Sequence, residues 1–297
     1  MIQKKERIAY VNGEYLPESQ AKISVFDHGL LYGDGVYDTL CVWKGYVFKL
    51  ESHIDRLFRS IHAFKIEMPL DKNALRDVII KVVKENGEIN QYLKCVVTRG
   101  LGLRPLLTPI DCKTTVIVFT APDIWLWGGS GPEKAETAII TNIRRIPSQC
   151  LDAKVKNLNY ANFVLAKMEA MNAGVDQGIM LDIHGFVNEC PGYNLFIVRA
   201  GNLYTPPTEN ILVGVTRETV FEIAQGQEIR VIEERMTPSD LYNADEVFLS
   251  STAGGIIPIV QVDKRSIASG EPGPITLKIH SAYMKMLNEG VHGTKFI

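Results

Sequence analysis

Paired cysteines, long apolar runs and a surplus of either charge are all missing from this chain. Its five cysteines, Cys41, Cys95, Cys112, Cys150 and Cys190, are scattered, odd in number and nowhere spaced as CxxC. That pattern argues against a disulfide framework or a zinc site and points to a reducing compartment, with no metal expected. No apolar run approaches ~18 residues and no charged-then-apolar leader opens the chain, so the expectation is a soluble cytoplasmic protein with no membrane partner. The formal net charge of -2 removes any general pull toward nucleic acid or anionic lipid. A local cation cluster for one phosphate or carboxylate remains open. Internal repeats and low-complexity tracts are also absent.

What is present is ordinary globular composition over 297 residues, 46% hydrophobic and 22% charged, enough for one large domain or two moderate ones. "IAYVNGEYLP" reads as a hairpin around Asn12-Gly13, and "DTLCVWKGYVFKL" repeats the plan around Lys44-Gly45. In "ESHIDRLFRSIHAFK", Ile54, Leu57, Phe58, Ile61 and Phe64 form one helical face. A second helix is expected over 71–86, then strands in "YLKCVVTRG" and "TTVIVFTAP". The Gly, Pro and Ser cluster at 123–135 reads as a linker. Beyond it come a strand (137–142), a helix over 157–173, hairpins in "GIMLDIHGFVNE" and "NLFIVRAGNLYTPP", a helix in "GVTRETVFEIAQ", a strand and Gly-rich turn in "EVFLSSTAGGIIPIV", and a last helix over 274–289. Strands and helices mix without steady βαβ alternation, which implies an α+β fold with domains 1–122 and 136–297.

Several stretches could carry chemistry. In "DAKVKNLNYANFVLAK", strand-like alternation puts Lys154 and Lys156 on one face with Val155 opposite, and Ala161, Val164, Leu165 and Met168 recur at helical spacing. A lysine used as a nucleophile must be partly deprotonated, which burial or a neighbouring cation supplies; alternation alone leaves both amines open. In "LVGVTRET", Thr216 is a natural N-cap, and a helix start preceded by Gly is usually a plain cap and sometimes a ready anion site. "SSTAGGI" at 250–256 offers hydroxyls and backbone N–H groups that hold oxyanions or simply turn the chain. Arg56, beside the first helix's apolar stripe, either snorkels to solvent or reaches inward for a phosphate. Glu189 ends the strand in "FVNE", either solvated or facing a pocket. An amine, two anion-binding turns, an arginine and a carboxylate together suggest a pyridoxal-phosphate site.

Taken in order, "FDHGLLYGDGVYD", "HIDRL", "TRG", "VKNLNYANFVLAK", "GFVNECPGYNLF", "LVGVTRE", "STAGG" and "GPIT" resemble the class IV aminotransferases. The resemblance implies a two-domain, fold-type IV pyridoxal-phosphate enzyme similar in architecture to D-amino acid aminotransferase, with the cofactor lysine in the C-terminal domain. The family lysine lies three residues before the Asn of a K-x-L-N pattern. That selects Lys156 as the residue holding pyridoxal 5'-phosphate as a Schiff base. By the same resemblance Tyr160 approaches the cofactor's phenolic oxygen, Glu189 pairs with its ring nitrogen and Leu212 packs on the ring. Arg56, Val215, Thr216 and Thr252 bind its phosphate.

For substrate the resemblance implies amines, amino acids and 2-keto acids, with Tyr32, Tyr37, Tyr92, Arg104 and Ala253 around them and a homodimer or higher homo-oligomer. Branched-chain enzymes usually carry an Arg where this chain has Cys41, and D-amino acid transaminases carry a His where it has Leu106. "VYDTLCVWKG", "TRGLGLR", "VKNLNY" and "STAGGIIPI" look most similar to (R)-selective amine transaminases. Branched-chain L-amino acid and D-amino acid transaminases, and then an aminodeoxychorismate-lyase-like enzyme, stand as the alternatives.

Overall fold

The computed structural model describes residues 6–104, 106–122, 125–129 and 134–296. In chain order the first half forms β1 (Ile8–Val11), β2 (Glu14–Pro17), α1 (His28–Tyr32), β3 (Gly35–Trp43), β4 (Tyr46–Phe48), α2 (Leu50–Ala63), α3 (Lys72–Asn86), β5 (Gln91–Leu101) and β6 (Lys113–Pro122). The second half forms β7 (Glu136–Ile140), α4 (Ala161–Asn172), β8 (Gln177–Ile179), β9 (Glu189–Cys190), β10 (Tyr193–Arg199), β11 (Asn202–Thr205), α5 (Val215–Gly226), β12 (Val231–Glu233), α6 (Pro238–Tyr242), β13 (Glu246–Ser251), β14 (Gly255–Val262), β15 (Arg265–Ser266), α7 (Pro274–Asn288) and β16 (Gly293–Lys295). The mixture is α+β, as the order of strands and helices implied. Two compact units emerge: Met1–Ile124 with Val155–Asn159 and Leu287–Ile297, and Trp125–Lys154 with Tyr160–Met286.

In the first unit, strands pair in the order β16-β4-β3-β5-β6-β1-β2. Both expected hairpins close on two-residue turns, with Val11 opposite Glu14 and Trp43 opposite Tyr46. Asn12-Gly13 and Lys44-Gly45 supply the positive φ values that such turns demand. Alternation along β3 and β5 sends Val36, Leu40, Val42, Leu93, Cys95 and Val97 into one core with Ile54, Leu57 and Ile61 of α2 and Val82 of α3. Phe58 and Phe64 lie at its margin, partly buried. Tyr37, Thr39 and Cys41 stand opposite Val96, Lys94 and Tyr92 in the β3–β5 register, so these six share the other face.

That apolar core holds one charged cluster. Asp38, between Val36 and Leu40, accepts hydrogen bonds from Arg56 Nε to Oδ2 (2.8 Å) and Arg56 Nη2 to Oδ1 (2.7 Å). His53 Nδ1 lies 2.7 Å from Oδ1. Burial alone pushes the Asp38 carboxyl up, but Arg56 and His53 beside it hold it well below the usual carboxylate range. Burial also keeps His53 below its ordinary value against the pull of Asp38. A neutral imidazole facing an ionised carboxylate carries its proton on Nδ1 and donates it to Asp38.

Three departures from the sequence reading concern the central segment. Residues 153–155 form a turn, so no strand alternation aligns the two lysines: Lys154 is exposed, while Lys156 is half-buried. Residues 155–159 cluster with the first unit, whereas the expected boundary put the lysine in a domain spanning 136–297. The reason is backbone pairing: Tyr37 N–H donates to Lys156 O (2.9 Å) and Leu158 N–H to Gly35 O (3.0 Å). In α4 the stripe of Val164, Leu165 and Met168 is exposed, and Phe163, Ala166 and Ala170 are buried instead. Periodicity shows that a face is apolar, not whether the same unit covers it.

In the second unit β12-β11-β10-β13-β14-β7-β8 pair in that order, with β9 on β10 and β15 on β14. Residues 123, 124 and 130–133 of the expected linker lie outside the described residues. Leu126 and Trp127 within it are buried, and Trp127 N–H donates to Gly254 O (3.0 Å). Glu246 accepts from the N–H groups of Ile275 and Thr276 at the start of α7, which gives "GPIT" a structural purpose. The parallel β12 and the short α6, with its Thr237–Asp240 capping box, are elements the sequence reading missed.

Two stability effects are expected. In "TRG", Gly100 has φ +85° and sits at a register shift between Thr98 and Leu101; a Cβ there would lie 1.7 Å from Lys113 O. Gly100→Ala is therefore expected to cost roughly 2–4 kcal/mol in urea unfolding. Asp38→Asn is expected to cost about 3 kcal/mol between about pH 5 and 8. A carboxylate with a depressed folded value contributes stability above its unfolded value and loses it as pH falls through the folded one. The gap between wild type and variant should thus narrow only below about pH 4 in urea unfolding at stepped pH.

Candidate active site

Lys156 owes its position to backbone groups on both sides of it. Its N–H donates to Ser60 Oγ on α2 (3.2 Å), and its carbonyl is taken by Tyr37 N–H at the start of β3. The next turn is closed by Asn157 Oδ1, which accepts from Asn159 N–H (2.9 Å), and by Asn159 Nδ2 donating to Gly33 O (3.1 Å). The Lys156 ammonium nitrogen then lies 4.7 Å from the centre of the Tyr37 ring. A second amine, Lys94 Nζ on β5, lies 4.2 Å from the same centre. Burial, and then the neighbouring Lys156, push Lys94 below its ordinary value. Tyr92, two residues before Lys94 on the same strand face, places its hydroxyl 3.3 Å from Thr39 Oγ1.

The sequence reading named Tyr37 and Tyr92 but missed Lys94. Alternation in "YLKCVV" was the available signal, since it sets Lys94 on the face that Tyr92 occupies. Tyr32, half-buried at the end of α1, meets the His28 ring edge-on at 5.1 Å. Arg104 is exposed on the loop after β5. Cys41, in the place where the family often has an arginine, is a fully buried thiol that burial pushes up, so no cation stands there. Arg56 belongs to the Asp38 cluster on the core face of β3.

In the second unit Glu189 is the organising group, and it is 3% exposed. Arg145 Nε donates to its Oε1 (2.7 Å), while Leu212 N–H donates to Oε2 (3.2 Å). Asn194 Nδ2 spans Oε2 (3.5 Å) and Leu212 O (2.9 Å). The carboxylate therefore fixes the loop containing Leu212 as well as its own surroundings. The Arg145 guanidinium lies 4.6 Å over the Phe163 ring, which meets Tyr160 at 4.9 Å. Tyr160, the N-cap residue of α4, is thus tied to Glu189 through Phe163 and Arg145. Neither Arg145 nor Asn194 was assigned from sequence; Arg145 sits in "IRRIP", where nothing marks it.

Thr216 is not the cap of α5. Gly214 is, and it provides no side-chain cap. The cap is glycine because a Cβ there would lie 2.1 Å from Asn194 Oδ1. Val215 and Thr216 occupy the first turn, both buried, where backbone N–H groups face outward along the helix axis. Thr252 and Ala253 form the turn between β13 and β14, both partly exposed, and Gly254 N–H donates to Ser251 Oγ (2.9 Å) across it.

Taken unit by unit, these groups suit separate parts of a phosphorylated ring with a basic nitrogen. A helix start without a side-chain cap accepts a phosphate. A buried carboxylate is the natural partner of a protonated nitrogen, and a half-buried amine on an aromatic face suits covalent attachment. Among the described residues no group of three or more His, Cys, Asp or Glu could hold a metal ion. No helix of the described residues is long and apolar enough to cross a membrane.

Comparison with known proteins agrees with this chemistry. The amino-transferase class IV family profile matches residues 35–262. A Methanocaldococcus jannaschii protein, provisionally named a branched-chain-amino-acid aminotransferase, is 43% identical over 92% of this chain and 94% of its own length. The solved branched-chain aminotransferase of the archaeon Thermoproteus uzoniensis with norvaline superposes with a TM-score of 0.92 at 30% identity, covering 99% of this chain and all (100%) of that one. A branched-chain amino acid aminotransferase from T.th., complexed with N-(5'-phosphopyridoxyl)-L-glutamate, gives 0.89 at 32% identity, with 99% and 100% coverage. The chain belongs to the class IV aminotransferases, fold-type IV enzymes that work with pyridoxal 5'-phosphate.

Proposed function

We propose that this aminotransferase exchanges an amino group between a branched-chain L-amino acid and a 2-keto acid, with Lys156 as its catalytic residue. The observation carrying the assignment is the half-buried Lys156 amine over Tyr37, its backbone N–H on Ser60 Oγ and its carbonyl on Tyr37 N–H, while Lys154 stands exposed. The branched-chain substrate is supported by the names of the relatives above, none of which is an (R)-selective amine transaminase. It is supported also by the β3–β5 face, where the partly exposed Tyr92 and Val96 stand beside Tyr37 and offer apolar surface.

In this reading Lys156 Nζ bonds the cofactor, and the helix start at Val215–Thr216 with Arg56 and Thr252 grips its phosphate. Glu189, held by Arg145 and Asn194, keeps a proton on the ring nitrogen, and Leu212 packs on the ring. Tyr160 donates to the phenolic oxygen. When bound, pyridoxal 5'-phosphate supplies the electron-withdrawing ring that stabilises charge developing at the substrate α-carbon. Lys156 Nζ would serve as the general base that takes the proton from the substrate α-carbon and as the general acid that gives it back. Tyr32, Tyr37, Tyr92 and Ala253 shape the substrate pocket, and Arg104 faces the substrate carboxylate.

The enzyme is further proposed to act in the cytoplasm as a homodimer. Val25, Phe26, Leu30, Leu103, Leu107 and Ile110 are 52–81% exposed on segments that the Asp27–Leu101 bridge ties together. Monomers rarely leave so many large apolar side chains uncovered in one region.

Two measurements test the reading. Purified holoenzyme is mixed separately with L-leucine, D-alanine and (R)-1-phenylethylamine, and its yellow absorbance is followed. Bleaching by L-leucine is expected; bleaching by (R)-1-phenylethylamine alone would return the assignment to the amine transaminases. Lys156→Ala is expected to lose covalent cofactor, read by mass after borohydride reduction, whereas Lys154→Ala keeps it. The opposite pair of results overturns the lysine assignment.

A further inference from the structure

The buried cluster in the first unit is more elaborate than a core needs. Apolar residues of similar volume stabilise a core at least as well as a buried ion pair, so a retained pair invites another role. Asp38 Oδ1 receives three donors: Thr39 N–H (2.8 Å), His53 Nδ1 (2.7 Å) and Arg56 Nη2 (2.7 Å). Its Oδ2 receives Arg56 Nε (2.8 Å). Asp38 and His53 are each 1% exposed and Arg56 is 5% exposed. His53 and Arg56 sit three residues apart on α2, so one carboxylate from β3 reaches both. A fork through Nε and Nη2 fixes the guanidinium plane and its rotation about the side chain, which a single contact would leave free.

We propose that Asp38 is a positioning residue that, with His53, holds Arg56 in the orientation that grips the cofactor phosphate. The inference rests on the phosphate role given to Arg56 above. Electrostatics alone argue for the opposite effect, because a paired carboxylate cancels the attraction of Arg56 for an anion. Orientation outweighs that loss: charge-assisted hydrogen bonds to phosphate depend on where the N–H groups point, and a guanidinium ordered in advance spends no freedom on binding. His53 completes the lock. Its Nδ1 proton holds Oδ1, and its buried Nε2 has no hydrogen-bond partner among the described residues, so the imidazole is committed to Asp38.

The test compares pyridoxal 5'-phosphate with pyridoxal, which lacks the phosphate, on full-length enzyme stripped of cofactor. The dissociation constant of pyridoxal divided by that of pyridoxal 5'-phosphate, both read by absorbance titration, isolates the phosphate contribution from general damage. Asp38→Asn is expected to lower this ratio roughly tenfold or more while leaving the pyridoxal constant nearly unchanged. Arg56→Gln should lower it as well, and the double variant should lower it no further than Arg56→Gln alone. An unchanged ratio in Arg56→Gln overturns the phosphate role itself. A lowered ratio there, with an unchanged or raised one in Asp38→Asn, overturns only the positioning role. Equal weakening of both ligands in Asp38→Asn marks a merely structural residue and also overturns it. Should Asp38→Asn not fold, His53→Gln is titrated in its place: a several-fold lower ratio supports the lock, and an unchanged one refutes it.

Discussion

The first unit's chemistry depends on how the lysine segment is stitched to β3. Tyr37 donates to the carbonyl of Lys156, Gly35 accepts from Leu158, and Ser60 of α2 accepts from the Lys156 N–H. These bonds give residues 156–158 a fixed path although they form no regular strand, so the Lys156 side chain leaves the backbone in one direction. Gly35 is part of the same constraint. A Cβ there would lie 2.7 Å from Leu158 Cδ1 and 2.9 Å from Val97 O, so the segment could not approach. A catalytic amine must sit within a fraction of an ångström of its place, and such backbone ties are stiffer than side-chain packing.

β3 uses both of its faces. Val36, Leu40 and Val42 bury into the α2–α3 core, and Tyr37, Thr39 and Cys41 look the other way. Asp38 breaks the apolar sequence on the core side, and its cost is met by Arg56, His53 and the Thr39 N–H. In the second unit Glu189 plays a comparable part, drawing Arg145, Asn194 and the Leu212 backbone around one carboxylate. In both places a buried charge organises several elements because leaving it unpaired would cost more than any local rearrangement.

Much of the architecture was readable beforehand. Hairpins at Asn12-Gly13 and Lys44-Gly45 followed from the φ > 0 that their turns need, and α2 from the apolar spacing of Ile54, Leu57 and Ile61. The pyridoxal-phosphate character followed from eight ordered motifs. Arg145, Asn194 and Lys94 escaped notice because their importance lies in partners at 44, 5 and 62 residues' separation, of which only Asn194–Glu189 is local. The exposed stripe of α4 escaped for a related reason: its periodicity was right and its orientation was not.

The sequence by itself determined the turn types, most helix and strand positions and the class of cofactor, since these depend on local backbone preference and on residue types in fixed order. It could not choose between Lys154 and Lys156 by alternation, because both lie beside a turn that alternation does not describe. Tertiary structure distinguishes the two lysines by pairing 156–158 with β3 and leaving Lys154 in solvent. It also made Gly214, not Thr216, the cap of α5, because Asn194 occupies the space where a cap side chain would stand. Each of these outcomes turns on excluded volume or a hydrogen bond between residues distant in the chain, which no reading of neighbours along the sequence contains.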